Sequence, residues 1–115
     1  MEAKAFAMFQ RYGPRKVNQV LEQIRGKDLK TAMDVLPTLP RRSGVLVSKT
    51  LDSAAANLRV RLGRPLVPEK VRVKSAWVGQ GPMKHMKRVL PAPMGRAMQI
   101  KRKVCHLTII VADKG

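Results

Sequence analysis

The sequence predicts a single α+β domain, with three helices in its first half and a long β-hairpin in its second half. Two observations lead to this fold class. Between Pro14 and Leu62, apolar residues recur at intervals of three and four, which is the spacing of one face of an α-helix. From Lys70 onward, apolar residues alternate with basic ones, which is the spacing of a β-strand. The chain has 115 residues and no visible linker, which suits one domain with a modest core.

The first quarter of the chain contains a predicted strand and a predicted helix. Ala3 to Phe9 alternates loosely and is expected to form the strand. Gly13-Pro14 then starts the helix, because proline at the first helical position loses no intrahelical hydrogen bond. Gly26 is expected to end it. The apolar stripe of this helix consists of Val17, Val20, Leu21 and Ile24.

Two further helices are predicted before the hairpin. The second begins after Asp28, a residue type that caps helix N-termini, and Pro37 ends it. The third runs from about Arg42 to Leu62 and is closed by Gly63-Arg64-Pro65. Its centre is rich in alanine, which combines a high helix propensity with a small side chain that permits close packing.

The hairpin is predicted from two alternating segments, Val71 to Val78 and Met98 to Val111. At ~3.3 Å per residue, an arm of about ten residues reaches roughly 30 Å. We therefore expect a globular body at residues 1–78 and 97–115 and an extended tip at residues 79–96. In the last segment one side of the strand carries Cys105, Leu107, Ile109 and Val111.

The charge distribution predicts a polyanionic partner. Twenty-four lysines and arginines stand against seven acids, a formal net charge of +17. The 43 residues from Lys70 to Ala112 contain ten lysines and arginines and no acid. Such a segment repels itself, so its charge is explained by a partner rather than by folding. Apolar residues still make up 44% of the chain, which is too many for the disordered class.

The aromatic residues are too few to suggest a base-stacking platform. Phe6, Phe9, Tyr12 and Trp77 are the only ones, and none lies in the charged tip. Trp77 is expected in the core or at the base of the hairpin, with a stacking platform as the less favoured alternative. We therefore expect contacts to phosphates, 2′-hydroxyls and folded RNA shape rather than stacking on unpaired bases.

Neither an enzyme nor a metal site is predicted. A single cysteine, Cys105, permits no internal disulfide, and with His85 and His106 it makes no convincing zinc set. Cys105 is expected to pack as a small apolar residue. Paired carboxylates, a nucleophilic triad and a phosphate-binding glycine loop are all missing from the sequence. We therefore expect neither a cofactor nor catalysis.

The sequence also predicts a soluble, intracellular protein without a membrane partner. Met1-Glu2-Ala3-Lys4 is not the start of an apolar signal segment. The longest apolar run, Leu107 to Ala112, is far too short to span a bilayer.

Basic residues at the ends of the first helix are candidates for RNA contact on the body. Arg15 and Lys16 occupy its first turn, where cations oppose the helix dipole but backbone amides favour a phosphate. Arg25 and Lys27 flank Gly26 at the other end, where helix capping and RNA contact are both open. The full set of predicted RNA-binding residues is Arg15, Lys16, Arg25, Lys27, Arg72, Lys74, Lys84, His85, Lys87, Arg88, Arg96, Lys101, Arg102 and Lys103.

Several short motifs occur in an order that resembles a known family. They are Gly13-Pro14-Arg15-Lys16-Val17, Ile24-Arg25-Gly26-Lys27, Ser53-Ala54-Ala55-Ala56-Asn57, Gly81-Pro82, Lys87-Arg88-Val89-Leu90-Pro91, Gly95-Arg96-Ala97 and His106-Leu107-Thr108-Ile109. Together they are similar to the twenty-second protein of the large ribosomal subunit, in its short bacterial type. The resemblance covers the chain from about Ala3 to Asp113.

This resemblance implies an α+β fold of three helices packed on a small three-stranded antiparallel sheet, with a long protruding β-hairpin. It implies a monomer within the cytoplasmic ribosome that binds large-subunit rRNA, contacts neighbouring large-subunit ribosomal proteins and supports assembly. The hairpin tip would line the peptide exit tunnel and meet the nascent peptide. The sequence does not separate a bacterial from an organellar ribosome. Candidate tunnel residues at the tip are Met86, Val89, Leu90, Pro91, Ala92, Pro93 and Met94.

Two other functions fit parts of the sequence. A DNA-binding architectural protein would insert a basic β-ribbon arm into a groove, with Pro91 or Pro93 as a wedge. Three helices before a single hairpin are unlike that class. A cationic membrane-active protein would need an amphipathic helix, whereas the basic segment here is strand-like.

Overall fold

The computed structural model describes residues 1–81, 87–91, 95, 97–101 and 104–113. Within them it contains three α-helices, and a three-stranded antiparallel sheet with a separate two-stranded hairpin, which confirms the predicted α+β fold. Short 3₁₀ turns occupy Leu36–Thr38 and Pro68–Lys70. In chain order the main elements are β1 (Glu2–Gln10), α1 (Pro14–Glu22), α2 (Leu29–Val35), α3 (Ser43–Leu62), β2 (Val71–Gln80), β3 (Lys87–Pro91), β4 (Ala97–Lys101) and β5 (Cys105–Asp113).

The sheet of the body has the strand order β1-β5-β2, so the last strand lies at its centre. Both pairings are antiparallel, and Thr108 of β5 faces Phe6 on one side and Trp77 on the other. The helices pack on one face of this sheet and bury a single apolar core with it. We call the opposite face the outer face. The predicted buried side of β5 is confirmed, since Cys105, Leu107, Ile109 and Val111 are fully buried.

The helix α1 buries its predicted stripe, because Val17, Val20, Leu21 and Ile24 are inaccessible to solvent. Its regular part ends at Glu22, four residues before Gly26. There the hydrogen bonds tighten to the i−3 type, as in Gln23 N–H to Val20 O at 3.1 Å. Gly26 then turns the chain with a φ of +74°, which glycine adopts without strain.

The other helices follow the sequence closely. Asp28 precedes α2, although its carboxylate accepts a hydrogen bond from the Thr31 hydroxyl rather than from the helix backbone. The helix α3 ends at Gly63, which has a φ of +69° and donates its N–H to Arg59 O at 2.9 Å. None of the helices in the described ranges is apolar over enough length to cross a membrane.

Two irregularities in the edge strands reverse which side chains face outward. In β2 the register shifts between Val73 and Ser75, and in β1 it shifts between Ala7 and Gln10. An extra residue in a strand turns every later side chain to the other face. Trp77 therefore lies on the outer face and is 48% exposed, so it does not belong to the core, and its role at the base of the hairpin stays a prediction.

Apart from the three-stranded sheet, β3 and β4 form a two-stranded antiparallel sheet of their own. Lys87 lies opposite Lys101, and Pro91 lies opposite Ala97. The molecule extends over 65 × 26 × 16 Å with a radius of gyration of 17.4 Å. A compact chain of this length has a radius of gyration of roughly 13 Å. The elongation agrees with a hairpin that protrudes from the body.

Candidate nucleic-acid interface

The described part of the body carries its cations at the surface. The sixteen lysines and arginines within residues 1–81 are all solvent-exposed. Three of them form ion pairs among the described residues, namely Lys30 with Glu69, Arg64 with Asp113 and Lys74 with Glu2. Arg25 and Arg61 donate hydrogen bonds to the backbone carbonyls of Ala76 and Glu2. The other cations are exposed charges of a kind that contributes little to folding, so they are available to a polyanion.

Arg15 and Lys16 lie in the exposed first turn of α1, as predicted. The carbonyl oxygen of Lys16 accepts a hydrogen bond from the hydroxyl of Ser43, the first residue of α3, at 3.4 Å. Arg41 and Arg42 immediately precede Ser43 and are also exposed. The N-terminal ends of α1 and α3 therefore bring four cations together. We call Arg15, Lys16, Arg41 and Arg42 the helix-end cluster. The sequence did not predict that Arg41 and Arg42 belong to it, because their position beside α1 depends on the tertiary contact between the two helices.

Arg25 holds α1 against the sheet rather than capping its own helix. Its Nε–H donates to the carbonyl of Ala76 in β2 at 2.8 Å, and Nη2 donates to the Asn18 carboxamide oxygen at 2.6 Å. These hydrogen bonds of Arg25 go to the sheet and to Asn18 rather than to the last carbonyls of α1. RNA contact by Arg25 and Lys27 stays a prediction. Lys27 is exposed, and its carbonyl accepts a hydrogen bond from Val73 N–H at 2.9 Å.

The predicted pair Arg72 and Lys74 lies on the outer face of the sheet. The ammonium of Lys74 reaches across the central strand to the carboxylate of Glu2 in β1. The hydrogen bond from Lys74 lowers the pKa of Glu2 below its ordinary value. Lys4, which is not among the predicted RNA-binding residues, is exposed on the same face.

The outer face also carries aromatic side chains near the base of the hairpin. The imidazole of His106 packs edge-on against the Phe9 ring, with centroids 4.8 Å apart, and its Nδ1 accepts a hydrogen bond from Phe9 N–H at 3.0 Å. Cys105 points the other way and is buried, as predicted, and desolvation raises the pKa of its thiol. Among the residues that the structure describes, His, Cys, Asp and Glu form no group of three suited to a metal ion.

The remaining predicted site residues belong to the hairpin. The structure places the backbone of Lys87, Arg88, Val89, Leu90 and Pro91 on β3 and that of Lys101 on β4. The others lie outside the described residues, and they are Lys84, His85, Met86, Ala92, Pro93, Met94, Arg96, Arg102 and Lys103.

Comparison with known proteins gives this basic surface its context. The sequence model of the family described as "Ribosomal protein L22p/L17e" matches residues 5–112, which is nearly the whole chain. The chain belongs to this family. The resemblance inferred from the short motifs is thereby confirmed.

Full-length relatives agree with the L22p/L17e family. The chain is 49% identical over 113 residues to "Large ribosomal subunit protein uL22" of Endomicrobium trichonymphae, covering 98% of this chain and 93% of that protein. It is 42% identical to the protein of the same name from Thermus thermophilus, over 99% of this chain and 97% of that one. The Clostridium tetani protein is 40% identical, over 99% of each chain.

Membership in the L22p/L17e family decides several of the predictions. The family is structural rather than enzymatic, which confirms that the chain is not an enzyme. The predicted cytoplasmic ribosomal localisation is confirmed in the same way. Membership in this family favours the ribosomal assignment over the two alternative functions, a DNA-architectural and a membrane-active protein.

Proposed function

We propose that this chain, a structural constituent of the large ribosomal subunit, binds large-subunit rRNA through its basic body and its β-hairpin. The observation that carries the proposal is the excess of exposed cations over acids on the body. Each cation that contacts a phosphate releases condensed counterions, which ties the affinity steeply to the salt concentration. Arginine contributes further because its planar guanidinium matches the geometry of a phosphate.

The body and the hairpin take different parts in this binding. The helix-end cluster docks on folded RNA, while the hairpin extends between rRNA segments and supports assembly. We keep the division into a body at residues 1–78 and 97–115 and a tip at residues 79–96 as part of the proposal. All fourteen predicted RNA-binding residues of the sequence analysis, hairpin residues included, remain in it.

The hairpin tip is further proposed to line the peptide exit tunnel and to meet the nascent peptide. The separate pairing of β3 with β4 and the 65 Å length of the molecule support a projection of sufficient reach. The residues proposed at the tunnel wall are Met86, Val89, Leu90, Pro91, Ala92, Pro93 and Met94. The chain is a monomer within the ribosome, where it lies beside rRNA and other proteins of the subunit.

The salt dependence of rRNA binding tests the central part of this proposal. Arg15→Gln combined with Lys16→Gln removes two charges from the helix-end cluster without touching the core. We expect weaker binding to large-subunit rRNA and a log K against log salt slope that is shallower by roughly 1.5, at about 0.7–0.9 per phosphate contact. The matched control, Lys49→Gln with Arg59→Gln, also removes one lysine and one arginine that are exposed on the body. A helix-end variant whose slope equals that of the wild type would remove the helix-end cluster from the interface.

Sedimentation of a cell lysate tests the assignment to the large subunit itself. At low magnesium the subunits separate, and the chain should migrate with the large subunit on a sucrose gradient. Migration with nucleoid DNA instead would contradict the proposal as a whole.

A further inference from the structure

The outer face of the sheet gathers three of the four aromatic side chains of the protein on one open surface. Phe6 and Phe9 are 64% and 65% exposed, and Trp77 is about half-exposed. Phe6 and Trp77 flank Thr108 from the two edge strands, and Phe9 packs against His106, two residues before Thr108 in β5. Large apolar side chains left open to water in this number mark a binding surface rather than a core.

Two backbone irregularities create this arrangement. Phe9 has the same parity along β1 as the buried Ala3 and Ala5, and Trp77 has the same parity along β2 as the buried Val71 and Val73. Regular strands would therefore point both rings into the helix-covered core. The register shifts after Ala7 and Val73 turn them outward instead. Bulges of this kind re-aim side chains and are common beside functional sites.

The conformation of Phe9 makes the first irregularity unusual. Its φ of +55° lies in the left-handed region, which a bulky side chain rarely adopts. It is the only residue other than glycine with a positive φ in the described ranges. Strain of this kind persists where the surrounding structure enforces it, and it is concentrated at functional sites. Here it places an aromatic ring at the surface, where the ring adds little to the core.

The space between the rings is open. Gly79 lies two residues after Trp77 and opposite His106, and a Cβ atom there would meet nothing within 4 Å. Among the described residues, no side chain therefore crowds the backbone of Gly79 on this face. This leaves room for a flat group beside Trp77 and the Phe9–His106 pair.

We propose that the outer face is a second RNA-contact surface, on which unpaired bases of large-subunit rRNA stack on Phe6, Phe9 and Trp77. This inference rests on the proposed function and adds a mode of recognition to it. Every base has a π-face that stacks on an aromatic ring without regard to sequence. Lys4 and Arg72, exposed on the same face, provide phosphate contacts beside the stacked bases.

Charge and position favour RNA over a protein as the occupant. The charged residues on this face are Lys4, Arg72 and Lys74 against Glu2, and Glu2 is already paired with Lys74. The aromatic end of the face adjoins the base of the hairpin, where Gly81 N–H donates to Val104 O at 2.7 Å. RNA that follows the basic hairpin toward the body therefore reaches these rings first.

Ring removal without loss of apolar volume tests the stacking. Phe6→Leu with Trp77→Leu keeps an aliphatic side chain at two exposed positions. With the full chain and intact large-subunit rRNA as the probe, we expect affinity to fall about tenfold. The salt slope should stay unchanged, because no phosphate contact is lost. The ring-retaining pair Phe6→Tyr with Trp77→Phe should bind like the wild type.

Two results separate this inference from the proposed function. Val45→Ala with Val60→Ala, which trims exposed apolar residues on α3, should leave affinity unchanged. If the leucine pair also binds rRNA like the wild type, the stacking surface is refuted while the charge-based binding stands. If the wild type itself fails to bind rRNA, the proposed function fails as well. Circular dichroism and urea unfolding establish that each variant is folded.

Ultraviolet cross-linking of intact large subunits, read by mass spectrometry, tests the occupant. We expect nucleotide adducts on Phe6, Phe9 or Trp77. Cross-links from these residues to a neighbouring ribosomal protein would overturn the proposal. So would adducts confined to other parts of the chain.

Discussion

The two faces of the body sheet differ most clearly along β5, where neighbouring residues of one strand meet opposite environments. Leu107 and Ile109 are fully buried under the helices, whereas His106 and Ile110 are partly open to solvent on the outer face. The sheet side chains that are buried under the helices are all apolar. The outer face mixes aromatic rings with cations.

This difference separates what folds the chain from what the chain binds. A domain of this size has a small core, so nearly all of its hydrophobic stabilisation must come from the one covered face. The outer face is then free to carry groups that stability alone would not select. Substitutions on the covered face should therefore change the free energy of unfolding, and substitutions on the outer face should change the binding of rRNA.

The largest effect should come from truncating the covered face. Leu107→Ala removes a fully buried side chain from the central strand. We expect a loss of about 2–5 kcal/mol in the free energy of unfolding, because the cavity left behind adds to the lost burial. Urea unfolding of the free protein measures it.

Ile110→Ala is the matched control, since it truncates an aliphatic residue of the same strand on the outer face. Its cost should be smaller than that of Leu107→Ala, because Ile110 is already partly open to solvent and its truncation leaves no enclosed cavity. Equal losses for the two variants would break the distinction between the faces.

A smaller effect is expected where α1 is fastened to the sheet. Arg25→Met removes the guanidinium that bonds to the Ala76 carbonyl and to Asn18. We expect a loss of about 1–2 kcal/mol, typical of a hydrogen bond from a charged donor. Lys27→Met, an exposed neighbour, should change the unfolding free energy by less than about 0.5 kcal/mol. If Arg25→Met were neutral for stability, its side chain would serve RNA contact alone.

Removing Lys4 and Arg72 from the outer face should weaken the binding of rRNA without changing the stability of the free protein. Lys4→Gln with Arg72→Gln should reduce the salt slope of rRNA binding by roughly 1.5, from two lost phosphate contacts. The melting temperature of the free protein should hardly move, because neither side chain forms an ion pair among the described residues. An unchanged slope would confine RNA contact on this face to the rings.

The smallest effect is expected at the ion pair that spans the outer face. The hydrogen bond from Lys74 lowers the pKa of Glu2 below its ordinary value of 4.5. The ionised carboxylate therefore stabilises the folded protein at pH values above 4.5. That contribution is lost as the pH falls through the lowered pKa of the folded state. Glu2→Gln should therefore unfold at lower urea than the wild type at pH 7, and the two should converge in acid. A difference that persists at low pH would assign the effect to something other than this pair.

Much of the covered face could be predicted because its signals are local. Helical spacing identified Val17, Val20, Leu21 and Ile24, and alternation identified the buried side of β5. Gly63 predicted the end of α3, because glycine readily adopts the left-handed conformation that ends a helix in any fold. These patterns depend only on near neighbours in the sequence.

The outer face could not be predicted in the same way. Alternation places Trp77 and Phe9 in the core, and only the register shifts in β1 and β2 turn them outward. The bond of Arg25 to Ala76 joins residues 51 positions apart. The helix-end cluster likewise arises where α3 meets α1. Each depends on tertiary contacts that the spacing of residues does not encode.

The most direct test of this account is a cryo-electron microscopy map of the large subunit that carries this chain. The account predicts rRNA against the outer face, with at least one unpaired base parallel to the ring of Phe6, Phe9 or Trp77 and phosphates near Lys4 and Arg72. An outer face covered by another ribosomal protein, or open to solvent, would contradict it.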